Sequence, residues 1–130
     1  MKPRDYNLII LSAEHSDNTW QNNSHTTENL STILSLLKLD YMPVYGQYKG
    51  KPENSFLVKV TDPISDTLHI LEWLAFKVFN QESILIVDTQ DKATLIFKDK
   101  HEESCGTWTE VTHPGASDHT KIGQRYFIAQ

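Results

Sequence analysis

The sequence predicts an α+β protein, a ferredoxin-like β-α-β-β-α-β sandwich with additional C-terminal strands, in which a mostly antiparallel sheet is packed by two helices. Three observations predict this fold. Apolar residues repeat with a helical period in two segments and alternate with a strand period in several others. These segments follow the order β-α-β-β-α-β within about residues 5–98. The two middle strands are joined by a link short enough for an antiparallel hairpin.

The first strand is predicted between Asp5 and Ala13, because the run YNLIILSA is apolar on both faces, as in a strand buried within a sheet. A polar stretch from Glu14 to Asn23 follows, and its length predicts a long connecting loop. Ser24 to Thr27 supply N-cap side chains for the first helix. The apolar stripe of that helix has the spacing i, i+3, i+4 and i+7 and comprises Leu30, Ile33, Leu34 and Leu37.

The second strand, Met42 to Tyr48, and the third strand, Phe56 to Val60, are predicted to pair as the hairpin. A turn from Lys49 to Asn54, which contains a glycine and a proline, joins them. One face of the second strand comprises Met42, Val44, Gly46 and Tyr48. One face of the third strand comprises Phe56, Val58 and Val60.

The second helix is predicted to begin at Asp62-Pro63, a capping side chain followed by proline at the first helical position. Its buried stripe comprises Leu68, Leu71, Ala75, Val78 and Phe79. Further apolar residues widen the stripe and predict burial by another subunit or by the C-terminal segment; they are Ile70, Trp73, Leu74 and Phe76. The remaining strands are predicted at Ser83 to Thr89, Ala93 to Lys98, Gly106 to Val111 and Arg125 to Ala129, with a loop at His113 to Gly123.

The length of 130 residues predicts a single domain, residues 1–130, with its core at about 5–98 and a C-terminal extension at 99–130. The formal net charge of −5 argues against a nucleic-acid partner, which requires a concentrated basic face. One cysteine and six histidines without helical ligand spacing predict neither a disulfide framework nor a metal or other cofactor. The absence of a long apolar run or a signal-peptide pattern predicts a cytoplasmic protein without a membrane partner.

The candidate functional residues lie around the hairpin. Glu53 suits either a solvated turn or a binding site built where two strands meet, and Tyr48 suits half-buried packing with its hydroxyl in water. The sequence contains no phosphate-binding glycine loop, HExxH motif or nucleophile elbow. Cys105 has no evident activating partner in the sequence. The residues alone therefore identify no dedicated catalytic machinery.

Six segments, in one order along nearly the whole chain, together resemble a known family. They are LSA at Leu11 to Ala13, GQYKG, ENSFLVKV, NQESILIVDTQDKATLIF, GTWTEV and GQRYFI. The family is that of the small phage-encoded S-adenosylmethionine lyases, formerly described as S-adenosylmethionine hydrolases.

The resemblance implies cleavage of S-adenosylmethionine to 5′-methylthioadenosine and L-homoserine lactone without a cofactor. It also implies a homotrimer with active sites between subunits. In the cytoplasm of an infected host, the reaction would deplete the methyl donor on which restriction-modification systems depend. Under this resemblance Glu53 and Tyr48 are the expected catalytic residues. The expected substrate-binding residues are Ser12, Ala13 and Gln81.

The implied reaction suits a chain without a recognisable nucleophile, because the substrate carries both its own nucleophile, a carboxylate, and its leaving group. We expect Glu53 to hold the ribose hydroxyls or the α-amino group rather than the sulfonium, whose charge fades in the transition state. Three alternatives remain: a hydrolase with water as nucleophile, a non-catalytic nucleotide or S-adenosylmethionine sensor of ferredoxin-like fold, and a protein that blocks a host enzyme directly. Products formed on incubation with S-adenosylmethionine separate the enzymes from the other two.

Overall fold

The computed structural model describes residues 4–15, 17–115 and 117–130. These residues form eight strands and two helices. Their bounds are β1 (Asn7–Leu11), α1 (Trp20–Leu36), β2 (Asp40–Tyr48), β3 (Lys51–Val60), α2 (Ser65–Trp73), β4 (Ser83–Val87), β5 (Lys92–Phe97), β6 (Glu102–Val111), β7 (His119–Ile122) and β8 (Arg125–Ala129). A π-helical turn, Leu74–Val78, continues α2.

The strands form one closed antiparallel barrel in the order β1-β3-β2-β7-β8-β6-β5-β4. The ring closes where β4 pairs with β1, with Val87 opposite Leu8. The predicted ferredoxin-like sandwich is therefore wrong. Its four strands do lie side by side as β4-β1-β3-β2, but β5 to β8 connect the two edges that such a sheet would leave open. Unpaired strand edges are a liability for a protein, and closure removes them.

The predicted C-terminal extension supplies three strands of the barrel. Residues 99–130 contain β6, β7 and β8, and β7 pairs with β2 through Gly46 opposite Thr120. The predicted loop at His113 to Gly123 is wrong in part, because it contains β7. These strands complete the wall around the barrel interior.

Side chains that alternate along the strands divide the apolar residues between two cores. The outer core lies between the barrel and both helices and includes Ile9, Leu11, Phe56, Val58, Leu30 and Leu71. The inner core fills part of the barrel and comprises Leu8, Ile10, Val44, Leu57, Val87, Ala93 and Trp108. Both faces of β1 are thus covered, which explains why all five of its residues are buried.

Both helices begin at residues other than those that the sequence predicts. Helix α1 begins at Trp20, because the Thr19 hydroxyl accepts a hydrogen bond from the Asn22 amide at 3.2 Å and caps the helix. The predicted long loop is correspondingly shorter. Asp62 does not cap α2, since its carboxylate accepts a hydrogen bond from Asn7 Nδ2 at 2.9 Å. Among the described residues, no helix is long and apolar enough to cross a bilayer.

The π-helical turn changes which face of the second helix is buried. Leu74, Ala75 and Phe76 are buried consecutively, whereas Val78, predicted in the buried stripe, is 45% exposed. The i+5 hydrogen bonds of a π-helix add a residue to the turn and rotate the following side chains away from a 3.6-residue stripe. Trp73, the last residue before this turn, is 57% exposed.

The hairpin turn is shorter than predicted. Lys49 and Gly50 alone form it, with φ angles of 52° and 79°, as a type I′ turn requires. Strand β3 therefore begins at Lys51, and Glu53 lies within the strand rather than in a turn.

Candidate active site

A cavity of about 720 Å³ opens at the end of the barrel where β1 and β2 end and β3 and β4 begin. Small-molecule sites in proteins usually measure about 300–1,000 Å³. The rim is polar and includes Ser12, Glu14, Tyr48, Glu53, Gln81 and His119. The floor is apolar and includes Ile10, Leu85, Leu95, Trp108 and Phe127. A cavity of this size and composition suits a small molecule with one polar and one apolar end.

Four of the five predicted site residues line this cavity, namely Ser12, Tyr48, Glu53 and Gln81. Ala13 does not. It is buried in the outer core, and its carbonyl accepts a hydrogen bond from Thr26 Oγ1 at 2.7 Å. The structure therefore brings the first four residues together and places Ala13 on the helix side of the barrel wall.

Glu53 and Tyr48 lie on the two paired strands of the hairpin. Glu53 is opposite Gly46, and Tyr48 is opposite Lys51. Because Gly46 has no side chain, the β7 backbone approaches closely here, and a Cβ at Gly46 would lie 2.8 Å from the His119 carbonyl oxygen. The Lys49 ammonium lies 5.3 Å from the centre of the Tyr48 ring, a cation–π distance. The tyrosine thus borders the cavity beside a positive charge, and Glu53 lines the same cavity from the neighbouring strand.

Several neighbours act on the Glu53 carboxyl. Burial raises its pKa above the ordinary 4.5, and the nearby negative charge of Glu14 raises the pKa further. The Ser55 hydroxyl opposes this by donating a hydrogen bond to Oε1 at 3.1 Å, and His15 also lowers the pKa. The net effect is a raised pKa. A carboxyl with a raised pKa at the rim of a cavity is typical of functional sites.

A group of side-chain hydrogen bonds fixes the backbone beside Glu53. The pairing of β1 with β3 ends at Leu11, so β1 offers no ladder partner to Asn54. Glu14 replaces it by accepting hydrogen bonds from the amide and Nδ2 of Asn54 at 2.8 and 3.2 Å. The Ser12 hydroxyl donates to the Asn54 carbonyl at 2.8 Å and accepts from the Glu14 amide at 3.0 Å.

Gln81 and His15 connect this rim to the end of the π-helical turn. Gln81 is buried, and its Nε2 donates a hydrogen bond to the Glu14 carbonyl at 2.8 Å. His15 Nε2 donates to the Asn80 carbonyl at 2.6 Å. Hydrogen bonds with Asn80 and Gln81 therefore fix the segment that follows β1. That segment in turn fixes β3 through its hydrogen bonds with Asn54.

Residues that line this cavity and that the sequence does not predict as site residues include Glu14, His119, Trp108 and Phe127. The position of Glu14, just after a strand buried on both faces, was a signal for a rim residue. Trp108 and Phe127 gave no such signal, because they meet only through the pairing of β6 with β8. Their rings stack at 5.4 Å between centroids, with 7° between the ring planes.

Cys105 is not an activated thiol, and the ligand-type side chains that the structure describes form no metal site. Cys105 is the extra residue of a β-bulge in β6, and burial raises the pKa of its thiol. The reactive thiolate is therefore disfavoured. Within residues 4–15, 17–115 and 117–130, no three His, Cys, Asp or Glu side chains are grouped so that they could hold a metal ion.

The chain matches one protein family over almost its whole length. The model of the S-adenosylmethionine lyase family matches residues 9–130, all but the first eight, and this range contains every rim and floor residue described above. No curated protein matches the sequence. The family description identifies an enzyme, with S-adenosylmethionine as its substrate. On this match the chain belongs to the S-adenosylmethionine lyase family.

Proposed function

We propose that the protein converts S-adenosylmethionine into 5′-methylthioadenosine and L-homoserine lactone within the barrel cavity. The observation that carries this proposal is the cavity itself, in which Glu53 and Tyr48 stand at a polar rim above an apolar floor. The family match supplies the substrate. The cavity offers polar groups for the amino-acid end of that substrate and a region with little polar surface for the rest.

The proposed reaction is an intramolecular displacement. A carboxylate oxygen of the substrate bonds to its own Cγ and closes a five-membered lactone, while the bond from Cγ to sulfur breaks. The sulfur keeps the bonding electron pair and leaves as the neutral thioether of methylthioadenosine. No proton moves and no other reactant is consumed. Opposite charges vanish as the transition state forms, so surroundings less polar than water favour the step.

We propose that Glu53 binds the ribose hydroxyls or the α-ammonium group and that Tyr48 positions the substrate by ring contact or through its hydroxyl. A carboxylate beside the sulfonium would stabilise the reactant more than the transition state. Ser12 and Gln81 direct their hydrogen bonds to Asn54 and Glu14, so we assign them the role of holding the rim around the substrate. Ala13 faces the outer core, and we propose no substrate contact for its side chain.

Hydrolysis is the competing reaction, and one observation favours it. The raised pKa of Glu53 would suit a general base that activates water for attack on Cγ. In that case the products are methylthioadenosine and homoserine, and the new oxygen comes from solvent.

The two reactions differ in the origin of one oxygen atom. With purified protein in water enriched in ¹⁸O, we expect fresh homoserine lactone without label, measured by mass spectrometry. Later spontaneous opening of the lactone places ¹⁸O in the carboxylate, whereas hydrolysis at Cγ places it in the side-chain hydroxyl. Label in the hydroxyl would contradict the lyase mechanism. Binding of S-adenosylmethionine without any product would instead support the sensor.

We also propose that the protein is a homotrimer with active sites between subunits, in which a neighbouring subunit completes the open end of each barrel cavity. It would deplete S-adenosylmethionine in the cytoplasm of a phage-infected host and so counter restriction-modification. Large apolar side chains on the helices support assembly. Trp20 is 75% exposed, Leu36 is 76% exposed and Trp73 is 57% exposed. Apolar surface of this kind commonly marks a protein interface. Light scattering of the purified protein is expected to give three times the chain mass, and a monomer would contradict the assembly.

A further inference from the structure

We propose that Glu14 is a positioning residue of the active site, which replaces the main-chain partner that β1 no longer provides to β3 beside Glu53. This inference rests on the proposed function, in which Glu53 binds the substrate. It adds to that function the residue that keeps Glu53 in place at the open end of the barrel.

The ladder between β1 and β3 stops just before Asn54. Its last pair is Leu11 with Phe56. Every second residue of an antiparallel strand bonds to the same neighbouring strand, so Asn54 is the next residue of β3 whose amide and carbonyl point to the β1 side. Strand ends whose backbone groups lose their partners open easily. Glu53 directly precedes Asn54 and would move with such an opening.

Two side chains from the segment after β1 take the place of a longer strand. The Glu14 carboxylate accepts hydrogen bonds from the amide of Asn54 at 2.8 Å and from its Nδ2 at 3.2 Å. The Ser12 hydroxyl donates to the Asn54 carbonyl at 2.8 Å. Hydrogen bonds to a carboxylate are roughly twice as strong as those between neutral groups. Glu14 therefore contributes more of the restraint on Asn54 than Ser12 does.

The backbone that carries Glu14 is itself fixed by two other elements. Gln81, which is buried after the π-helical turn, donates a hydrogen bond from Nε2 to the Glu14 carbonyl at 2.8 Å. Asn23, in α1, bonds both main-chain groups of His15: its Oδ1 accepts from the amide at 2.8 Å, and its Nδ2 donates to the carbonyl at 2.9 Å. A side chain on so well supported a backbone can hold its partner accurately.

The restraint on Asn54 reaches the Glu53 carboxylate along β3. Asn54 lies between Glu53 and Ser55, and the Ser55 hydroxyl donates a hydrogen bond to Glu53 Oε1 at 3.1 Å. A shift of the strand at Asn54 would therefore displace both the carboxylate and the hydroxyl that orients it. Turnover is sensitive to such a shift, because accurate placement of the substrate supplies much of the rate enhancement.

A double-mutant cycle separates positioning from direct contact with the substrate, which is the alternative because Glu14 also lines the cavity. Glu14→Ala is expected to lower kcat/KM for S-adenosylmethionine about tenfold in the wild-type protein. In a Glu53→Ala background it should lower kcat/KM less than about twofold, since a residue that acts through Glu53 then has no carboxylate to position. Glu28→Ala, the same change at an exposed position of α1, is the matched control. Equal tenfold losses in both backgrounds would overturn the inference.

Glu14→Gln separates the hydrogen bonds of this side chain from its charge. The glutamine oxygen can accept from the Asn54 amide, and its NH2 group can donate to Asn54 Oδ1 once the Asn54 side-chain amide turns over. We expect kcat/KM of this variant to stay within about threefold of the wild-type value. A loss as large as that of Glu14→Ala would indicate that the charge of Glu14 binds the substrate, and it would overturn the positioning role.

Amide hydrogen exchange, followed by NMR, tests the inference without a turnover assay. In Glu14→Ala the Asn54 amide is expected to exchange at least about tenfold faster than in the wild type, because its acceptor is gone. The amide of Val58, opposite Ile9 within the β1–β3 ladder, should keep its rate.

An unchanged rate at Asn54, or equal acceleration at Asn54 and Val58, would overturn the inference even if the protein cleaves S-adenosylmethionine. Faster exchange at Asn54 alone, in a protein that forms no product, would support the restraint by Glu14 and contradict only the proposed reaction. The two proposals therefore fail on different results.

Discussion

Replacing Glu53 with glutamine is expected to lower kcat/KM for S-adenosylmethionine by about 10²-fold, because a substrate held less accurately loses its near-attack geometry. Glutamine has nearly the same shape and can still accept the hydrogen bond that Ser55 donates at 3.1 Å. The loss therefore reports the missing charge and not a missing side chain. Release of methylthioadenosine, measured by chromatography, is the readout. Turnover near that of the wild type in a folded variant would remove Glu53 from the site.

The same substitution is expected to stabilise the protein at neutral pH. Because burial raises the pKa of Glu53, the folded state binds this proton more tightly than the unfolded state does. The resulting stability is fully present below the ordinary value of 4.5 and is lost as the pH rises through the raised pKa of the folded state. A glutamine at this position does not ionise, so the variant does not lose this stability as the pH rises. The difference in melting temperature should be near zero in acid, grow as the pH rises from 4.5 through the raised pKa of the folded state, and stay constant above it.

Glu28→Gln is the matched control for both measurements. Glu28 is an exposed glutamate on α1, away from the barrel cavity, and its substitution makes the same chemical change. We expect neither the rate nor the pH dependence of the melting temperature to change. A Glu53→Gln protein that loses both activity and stability would indicate damage to the fold instead of a role in substrate binding.

Replacing Gly46 with alanine is expected to destabilise the protein by about 1–3 kcal/mol, the usual cost of overpacking a tight contact. A Cβ at this position would lie 2.8 Å from the carbonyl oxygen of His119, closer than such atoms approach. The contact lies where β2 pairs with β7, so relief requires the barrel to open there. Gly46 is also opposite Glu53, and turnover should fall as well.

The Gly46 prediction distinguishes a closed barrel from an open sheet. In a ferredoxin-like sandwich β2 would be an edge strand, and an added methyl group would meet no neighbouring backbone. Denaturant unfolding gives the free energy of each variant. Pro43→Ala, at an exposed position of β2 outside the segment paired with β7, is the control and should cost less than Gly46→Ala. Equal stability of Gly46→Ala and wild type would argue against the β2–β7 pairing.

Local patterns in the sequence were sufficient to locate most strands and the face that each one buries. The apolar run of β1 is buried throughout, and β8 spans Arg125–Ala129 as predicted. In β2, Met42 and Val44 share the inward face that their alternation predicts. Side chains alternate between the two faces of a strand because of its backbone geometry. The residues of a strand are therefore enough to predict which face it buries. The resemblance of ordered segments likewise indicated the family that the match over residues 9–130 shows.

The interior end of the site was decided by tertiary structure alone. The sequence pattern predicts Glu53 in a turn, whereas the two-residue turn at Lys49 and Gly50 extends β3 and places Glu53 on the inward face of that strand. Trp108 and Phe127 form the floor only because β6 pairs with β8. Ala13, one residue from Ser12, faces the helices instead.

What the sequence by itself determined, then, was most of the strands, the faces that they bury and the family. What only the tertiary structure decided was which strands pair, and hence the closed barrel and the cavity inside it. The pairing of Gly46 with Thr120 joins residues far apart in the chain, and no periodic pattern in the sequence around either residue indicates it. Backbone hydrogen bonds between strands are the same for nearly every residue type, so the partner of a strand is selected by the packing of the whole barrel.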